Sequence, residues 1–180
     1  PYTTLFRSLD GTEGAVKVSY IYRTRTDFGE LIDGLMNAAG LKPASTDDAG
    51  TLTLTAALVV NDLLEMVILP AGYVPVDVTV VSEDLDSGGS PAVVLKAGVM
   101  AGTPRDTTLA NRTTGAEIFT GKTFGQAGGV QRADVADIFL LAPSTLDRSL
   151  GIQVTTAPAT SSTTAKIRMV VTARPQLHGE

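Results

Sequence analysis

The sequence holds a single histidine, His178, and no cysteine. A serine or cysteine nucleophile needs a base beside it, so Ser-His-Asp and Cys-His arrangements have no partner to draw on. His178, third from the end of the sequence, is not expected to act as a base or a metal ligand. The lack of cysteine also removes disulfides, thiolate chemistry and cysteine metal sites. Gly115-Ala-Glu-Ile-Phe-Thr-Gly121-Lys122-Thr123 has the look of a phosphate loop, but five residues separate the glycines where such a loop has four. Ile118 and Phe119 read as strand, and no helix follows to offer its N-terminus to a phosphate. Glu83, Asp84 and Asp86 stand just before Ser87-Gly88-Gly89. Calcium favours oxygen-rich loops, yet the twelve-residue ligand spacing and its closing glutamate are missing. A solvated acidic loop is the expectation, with cation binding left open. Asn111-Arg112-Thr113 matches the N-glycosylation triplet, which matters only in a eukaryotic secretory setting. Nothing favours a glycosidase carboxylate pair, whose members would come from distant strands. No catalytic residue, cofactor or metal is expected, and the chain is not expected to be an enzyme.

Arginine is scarce enough to be informative. Arg132, Arg148 and Arg174 lie near glycine-rich or turn-like stretches, where a guanidinium can fork onto a carboxylate of a neighbouring subunit. They serve equally well as charges that guard a strand edge against aggregation. Phe124, Arg132 and Arg148 are the residues expected to touch a partner.

Composition narrows the class further. Charged residues make up 18% and the net charge is −5, with a pI near 4.8, which argues against a nucleic-acid binder held by phosphate contacts. No apolar run reaches the roughly 20 residues of a membrane-spanning helix. Aromatic residues are 5%, with no tryptophan, too few for the girdles of a porin-like barrel. Neither nucleic acid nor membrane is expected as a partner. A chain of 180 residues suits one domain with a sizeable core.

The elements that would position these residues are mostly strands. Leu52 and Leu54 alternate with Thr51, Thr53 and Thr55, a strand with one dry and one wet face. Leu63–Leu69 follows, then a turn at Pro70-Ala71-Gly72, then alternation through Val74, Val76, Val78 and Val80. Three strands so closely connected predict an antiparallel meander. Further strands are expected at 16–20, 92–100, 117–120, 137–142, 150–155 and 166–172. The stretch 137–142 is read as buried around Ile138, Phe139, Leu140 and Leu141. The stretch 42–50 reads as a linker, 121–132 as irregular, and 101–115 as a long polar connection that carries function or crosses between sheets. Asp27 and Glu30 have capping-box spacing ahead of an apolar face from Phe28 to Ala39, with Gly40 as the stop, so a helix is predicted there. The fold class is all-β: an antiparallel β-sandwich or jelly roll of about eight strands with one N-terminal amphipathic helix. The divisions are 9–49 as an N-terminal strand and helix arm, 50–174 as the sandwich domain and 175–180 as a tail. Residues 1–8, PYTTLFRS, resemble the one-frame translation of a sequencing-library adapter and are read as a non-native scar.

Two blocks carry a family resemblance. One comprises Ala57-Leu58, Asn61-Asp62, Glu65-Met66, Leu69-Pro70-Ala71-Gly72, Val76-Asp77 and Asp84-Leu85-Asp86. The other comprises Gln126-Ala127-Gly128-Gly129-Val130, Arg132-Ala133, Ala142-Pro143, Asp147-Arg148, Gly151 and Thr156-Ala157-Pro158-Ala159-Thr160. Together they resemble a widespread set of tailed-bacteriophage virion structural proteins. The resemblance implies a virion role. The further expectation is a capsid decoration (cement) protein on the capsid surface, partnered by the major capsid protein and homo-oligomeric, with a trimer favoured. A tail-tube or head–tail joining subunit, or a receptor- or glycan-binding module using the 101–115 connection, are the alternatives.

Overall fold

A computed structural model of the chain describes residues 20–21, 45–48, 51–54, 56–106 and 108–175. The predicted helix at 27–40, residues 1–8 and His178 lie outside the described residues. The strands are β1 (Tyr20–Ile21), β2 (Ser45–Asp48), β3 (Thr51–Thr53), β4 (Leu63–Leu69), β5 (Tyr73–Ser82), β6 (Val94–Val99), β7 (Phe119–Lys122), β8 (Gly129–Arg132), β9 (Arg148–Thr156) and β10 (Lys166–Pro175). They form two antiparallel sheets, and among the described residues the fold is the expected all-β sandwich. The first sheet runs β2-β3-β10-β5-β8, with β1 also paired to β10, and the second runs β4-β9-β6-β7.

The two-residue period of the sequence is what splits each strand between core and exterior. In β10, Ile167, Met169, Val171 and Ala173 are buried while Lys166, Arg168, Val170 and Arg174 are exposed. Val78 and Val80 of β5 and Leu52 of β3 join that inward face. Leu64, Met66, Leu95, Ala97, Phe119, Leu150, Ile152 and Val154 answer from the second sheet, and both sets belong to one core. Each large apolar side chain so enclosed contributes about 1.5–3 kcal/mol relative to exposure.

Several expectations are corrected. No meander forms: β3 pairs with β10, β4 with β9, and β5 with β10 and β8. Alternation reports which face a residue takes, and it is silent on which strand lies alongside. The Pro70–Gly72 turn redirects the chain from one sheet to the other, held by the Gly72 N–H to the Ser144 carbonyl at 2.8 Å and the Ala71 N–H to Asp147 Oδ1 at 2.8 Å. The 42–50 stretch contributes β2, a polar strand at a sheet edge, where such composition is tolerated. Residues 121–132 include the end of β7, a 3-10 turn at Phe124–Gln126 and β8. The 137–142 run is not a buried strand; a 3-10 turn at Ala136–Ile138 buries Ile138 and leaves Phe139 and Leu140 exposed. A short apolar run carries no period of its own, so length and composition misassign it. The 101–115 connection does not cross between sheets but joins the neighbours β6 and β7.

That connection lies over the outer face of the second sheet, so this sheet is covered on both sides. Glu65, Gly151 and Gly98 stand in one cross-strand row. The two glycines leave a trough there. A Cβ on Gly151 would stand 2.7 Å from the Leu64 carbonyl oxygen and collide with the Met100 side chain. A Cβ on Gly98 would stand 2.7 Å from the Gly115 carbonyl oxygen and collide with the Glu117 carboxylate. Glycine inside a strand marks such a close approach of other groups. Gly151→Ala should therefore lower stability by about 1–3 kcal/mol through overpacking. Gly89→Ala, in open space, should stay within about 0.5 kcal/mol. Urea denaturation of the two variants checks this, and equal midpoints would refute the trough.

Candidate functional site

The trough is floored by backbone and walled by one carboxylate. Glu65 lies mid-strand in β4, in the run Leu-Leu-Glu-Met-Val-Ile-Leu, and its side chain points under the 101–115 connection. Arg112 comes down from that connection, its Nη2 3.1 Å from Glu65 Oε1, and both side chains are buried. Ser149 of β9 donates its hydroxyl to the same oxygen. The Arg105 N–H reaches both carboxylate oxygens at 3.2 Å. Arg112 Nη1 donates to the Thr103 carbonyl, and its Nη2 lies 3.5 Å from Met100 Sδ. Glu65 Oε1 is thus met by Arg112 and the Arg105 N–H from the connection and by Ser149 from β9, while Oε2 shares the Arg105 N–H. A buried carboxylate answered in this way holds the loop down. Backbone bonds continue the attachment, from the Ala101 N–H to the Thr113 carbonyl at 2.9 Å and from the Gly115 N–H to the Val99 carbonyl at 2.9 Å. Glu117 Oε2 accepts the Val99 N–H at 2.9 Å.

A second carboxylate ties two loops together. Asp86, buried, accepts the N–H groups of Ala92 at 2.6 Å, Val93 at 3.1 Å, Ala159 at 2.9 Å and Thr160 at 2.8 Å. The acidic loop of the sequence is therefore partly interior. Asp86 faces backbone amides, and among the described residues no group of three or more His, Cys, Asp or Glu side chains is placed to hold a metal ion. Burial pushes the Asp86 carboxyl up, but the amides of Thr160, Ala92, Ala159 and Val93 together outweigh it and hold the group well below the usual carboxylate range. Asp62 shows the opposite balance. Its burial raises the pKa, and the Val59 N–H offsets that only in part.

The residues expected to touch a partner lie on three separate elements. Phe124 turns inward, half-buried, edge-to-face against Phe119 with ring centroids 5.6 Å apart. Arg132 ends the edge strand β8, exposed, with its Nη2 2.7 Å from Asp77 Oδ2. Arg148 opens β9 in the other sheet; its Nη2 is buried without a hydrogen-bond partner, and burial lowers its pKa. Arg174 is exposed on β10. The sequence reading missed the Glu65–Arg112 pair. Its signal was a lone charge inside an apolar strand, a position that calls for a buried counter-charge.

Fold and interior together define a β-sandwich whose long outer connection is held down by a buried ion pair. Comparison with solved structures agrees. A chain of the capsid of Ralstonia phage GP4 superposes with a TM-score of 0.68 at 32% identity, over 78% of this chain and 96% of that one. At this identity and coverage the chain belongs to the same family of phage capsid proteins, and its place is in the virion capsid. A chain of the cyanophage Pam1 capsid asymmetric unit shares the fold, with a TM-score of 0.55 at 24% identity over 78% of this chain and 98% of that one. No family model and no curated protein matches the sequence.

Removing one member of a buried ion pair strands the other. Glu65→Ala or Arg112→Ala should each cost about 3–5 kcal/mol, whereas Glu65→Ala with Arg112→Ala should cost clearly less than their sum. Denaturation curves of the three variants decide, and strict additivity would show that the pair is not coupled. Asp86→Asn should show a pH-dependent deficit. A depressed folded-state pKa contributes stability that is fully present above the unfolded value of about 4 and is lost as pH falls through the folded value. The Tm gap between wild type and Asp86→Asn should be widest near neutral pH and close as pH drops below about 4. A gap that widens with acid would contradict the amide cradle.

Proposed function

We propose that the chain is a non-enzymatic decoration, or cement, protein of the phage head, which bridges neighbouring subunits of the shell and contacts the major capsid protein. The observation that carries this is the match along 96% of a chain in the GP4 capsid, by a chain two of whose buried carboxylates, Glu65 and Asp86, are spent on holding loops. The long 101–115 connection is pinned to its own sheet through Arg112, which suits a rigid wedge better than an adaptable receptor-binding loop. Such a protein acts by burying surface across joints, about 1,200–2,000 Å² for a stable contact. Many copies on one shell then reinforce one another through effective concentration. A closed oligomer, a trimer in the simplest case, would present identical contacts to several shell subunits.

Shells assembled with and without the protein should differ in resistance to heat and to osmotic shock while keeping the same diameter. Particles that lack it should release DNA at lower temperature, and adding the purified protein back should restore resistance. Equal resistance would remove the cement role, and failure of the bare shell to assemble at all would make the protein a shell-building subunit instead.

A further inference from the structure

The segment between β8 and β9 runs from the side of β7 to the 70–72 turn, and its path is fixed at several points. The Asp134 N–H donates to the Ile118 carbonyl at 3.1 Å, Ile138 is buried in the core, the Ser144 carbonyl accepts the Gly72 N–H, and Asp147 Oδ1 accepts the Ala71 N–H. On this anchored loop stand Leu140 and Leu146, 76% and 73% exposed, the most exposed large apolar side chains among the described residues, with Phe139 at 42%. Exposed apolar side chains grouped on one short stretch mark an interaction surface. At the end of the same segment Arg148 enters β9 opposite Leu69. The two-residue period puts it on the face of Leu150, Ile152 and Val154, which fill the core. Its side chain is half-buried, and its Nη2 is sealed from water with no hydrogen-bond partner. Such a guanidinium has a donor to satisfy and no bond that keeps it where it lies. We propose that the 137–148 segment is where one copy of the chain meets a second copy, the leucines covering one another and the Arg148 guanidinium of one copy pairing with the Asp137 carboxylate of the next.

Charge within the segment selects a second copy as the occupant. From 133 to 148 the chain carries carboxylates at Asp134, Asp137 and Asp147 and a cation at Arg148 alone. Asp134 is paired with Lys122, and Asp147 is spent on the Ala71 N–H. Asp137 is exposed, close in sequence to Phe139 and Leu140, and its side chain has no partner among the described residues. An unanswered carboxylate and an unanswered cation thus stand at opposite ends of the stretch that bears the exposed leucines, and within one copy they do not meet. Between copies they can. A surface that holds both halves of its own ion pair is self-complementary, which is what a closed homo-oligomer requires. A different subunit would have to supply a carboxylate for Arg148 and a cation for Asp137; a second copy brings both already placed. The contact is small. Three apolar side chains and one ion pair fall short of the roughly 800 Å² per partner of a standard interface, so free molecules should associate only at roughly 0.1–1 mM. On a shell, copies are held at local concentrations of the order of mM, where such a contact is populated. In this respect the inference rests on the capsid reading above.

Sedimentation velocity of the full chain, from about 10 µM to about 1 mM, should show concentration-dependent self-association that weakens as salt rises. Leu140→Lys with Leu146→Lys should weaken it at least roughly tenfold. Asp137→Arg should do the same by setting two cations against each other, and adding Arg148→Asp to it should restore association to within roughly threefold of wild type. Val59→Lys with Val60→Lys is the control. The Asn61 N–H bonds the Val154 carbonyl, so those exposed valines lie toward the other end of β9, roughly 20 Å from Arg148, and should change nothing. Circular dichroism establishes that each variant folds. Should Arg148→Asp prevent folding at its half-buried position, the leucine pair and Asp137→Arg decide by themselves. Absence of self-association at about 1 mM, or association that neither of these variants weakens, overturns the proposal. If the loop variants release the protein from capsid shells although the free chain never self-associates, the loop faces a different subunit, and the proposal is equally overturned. The cement reading fails separately: shells with and without the protein would then be equally resistant to heat, while the loop variants would still abolish self-association.

Discussion

A carboxylate shut away from water must be answered where it stands, and Glu65 is shut away. Its charge sits on the outer face of the second sheet, beneath a connection that would otherwise be a loose polar loop. The Arg112 guanidinium, the Ser149 hydroxyl and the Arg105 amide all converge on it. Leaving any buried charge unmatched costs more than the pair gains by forming, so its worth lies in geometry more than in net stabilisation. The loop has one place to lie, because one arrangement satisfies both ions. Gly98 and Gly151 make that arrangement possible by clearing the floor on which Met100 and Glu117 rest.

Asp86 does comparable work between loops. It joins the segment after β5, the approach to β6 and the segment after β9 through backbone donors alone. Side-chain partners can be repositioned by a rotamer change, whereas backbone donors fix the course of the chain itself. The sandwich is thus tied over one face by an ion pair and between two loops by a single carboxylate.

Much of the fold was legible from the sequence. β5, β9 and β10 follow directly from their alternation, and the all-β class follows from the number of such stretches. Pairing was not legible, because β3 and β10 meet across more than a hundred positions of chain and nothing local encodes that meeting. Phe139 and Leu140 misled because an apolar run reads as interior, while the 3-10 turn at Ala136–Ile138 turns only Ile138 inward. Among the residues expected at an interface, Arg132 projects outward from an edge strand, but Phe124 spends its ring on Phe119. The acidic loop was expected to be solvated, whereas Asp86, the last of its three carboxylates, is buried against backbone amides. In each case the residue type was informative and its neighbour was not, since neighbours are assembled by topology.

The position of β10 has a consequence for how such a chain is made. It is flanked by β1 and β3 on one side and by β5 on the other, although it follows every one of them in the chain. As the polypeptide emerges from the ribosome, the described strands of the first sheet therefore remain three unjoined pieces (β1, β2-β3 and β5-β8) until β10 is available. Long-range pairing of this kind is slow and exposes apolar edges in the interval. A chain cut short before its tenth strand would lack the one element that joins these pieces, and so could not close the layer.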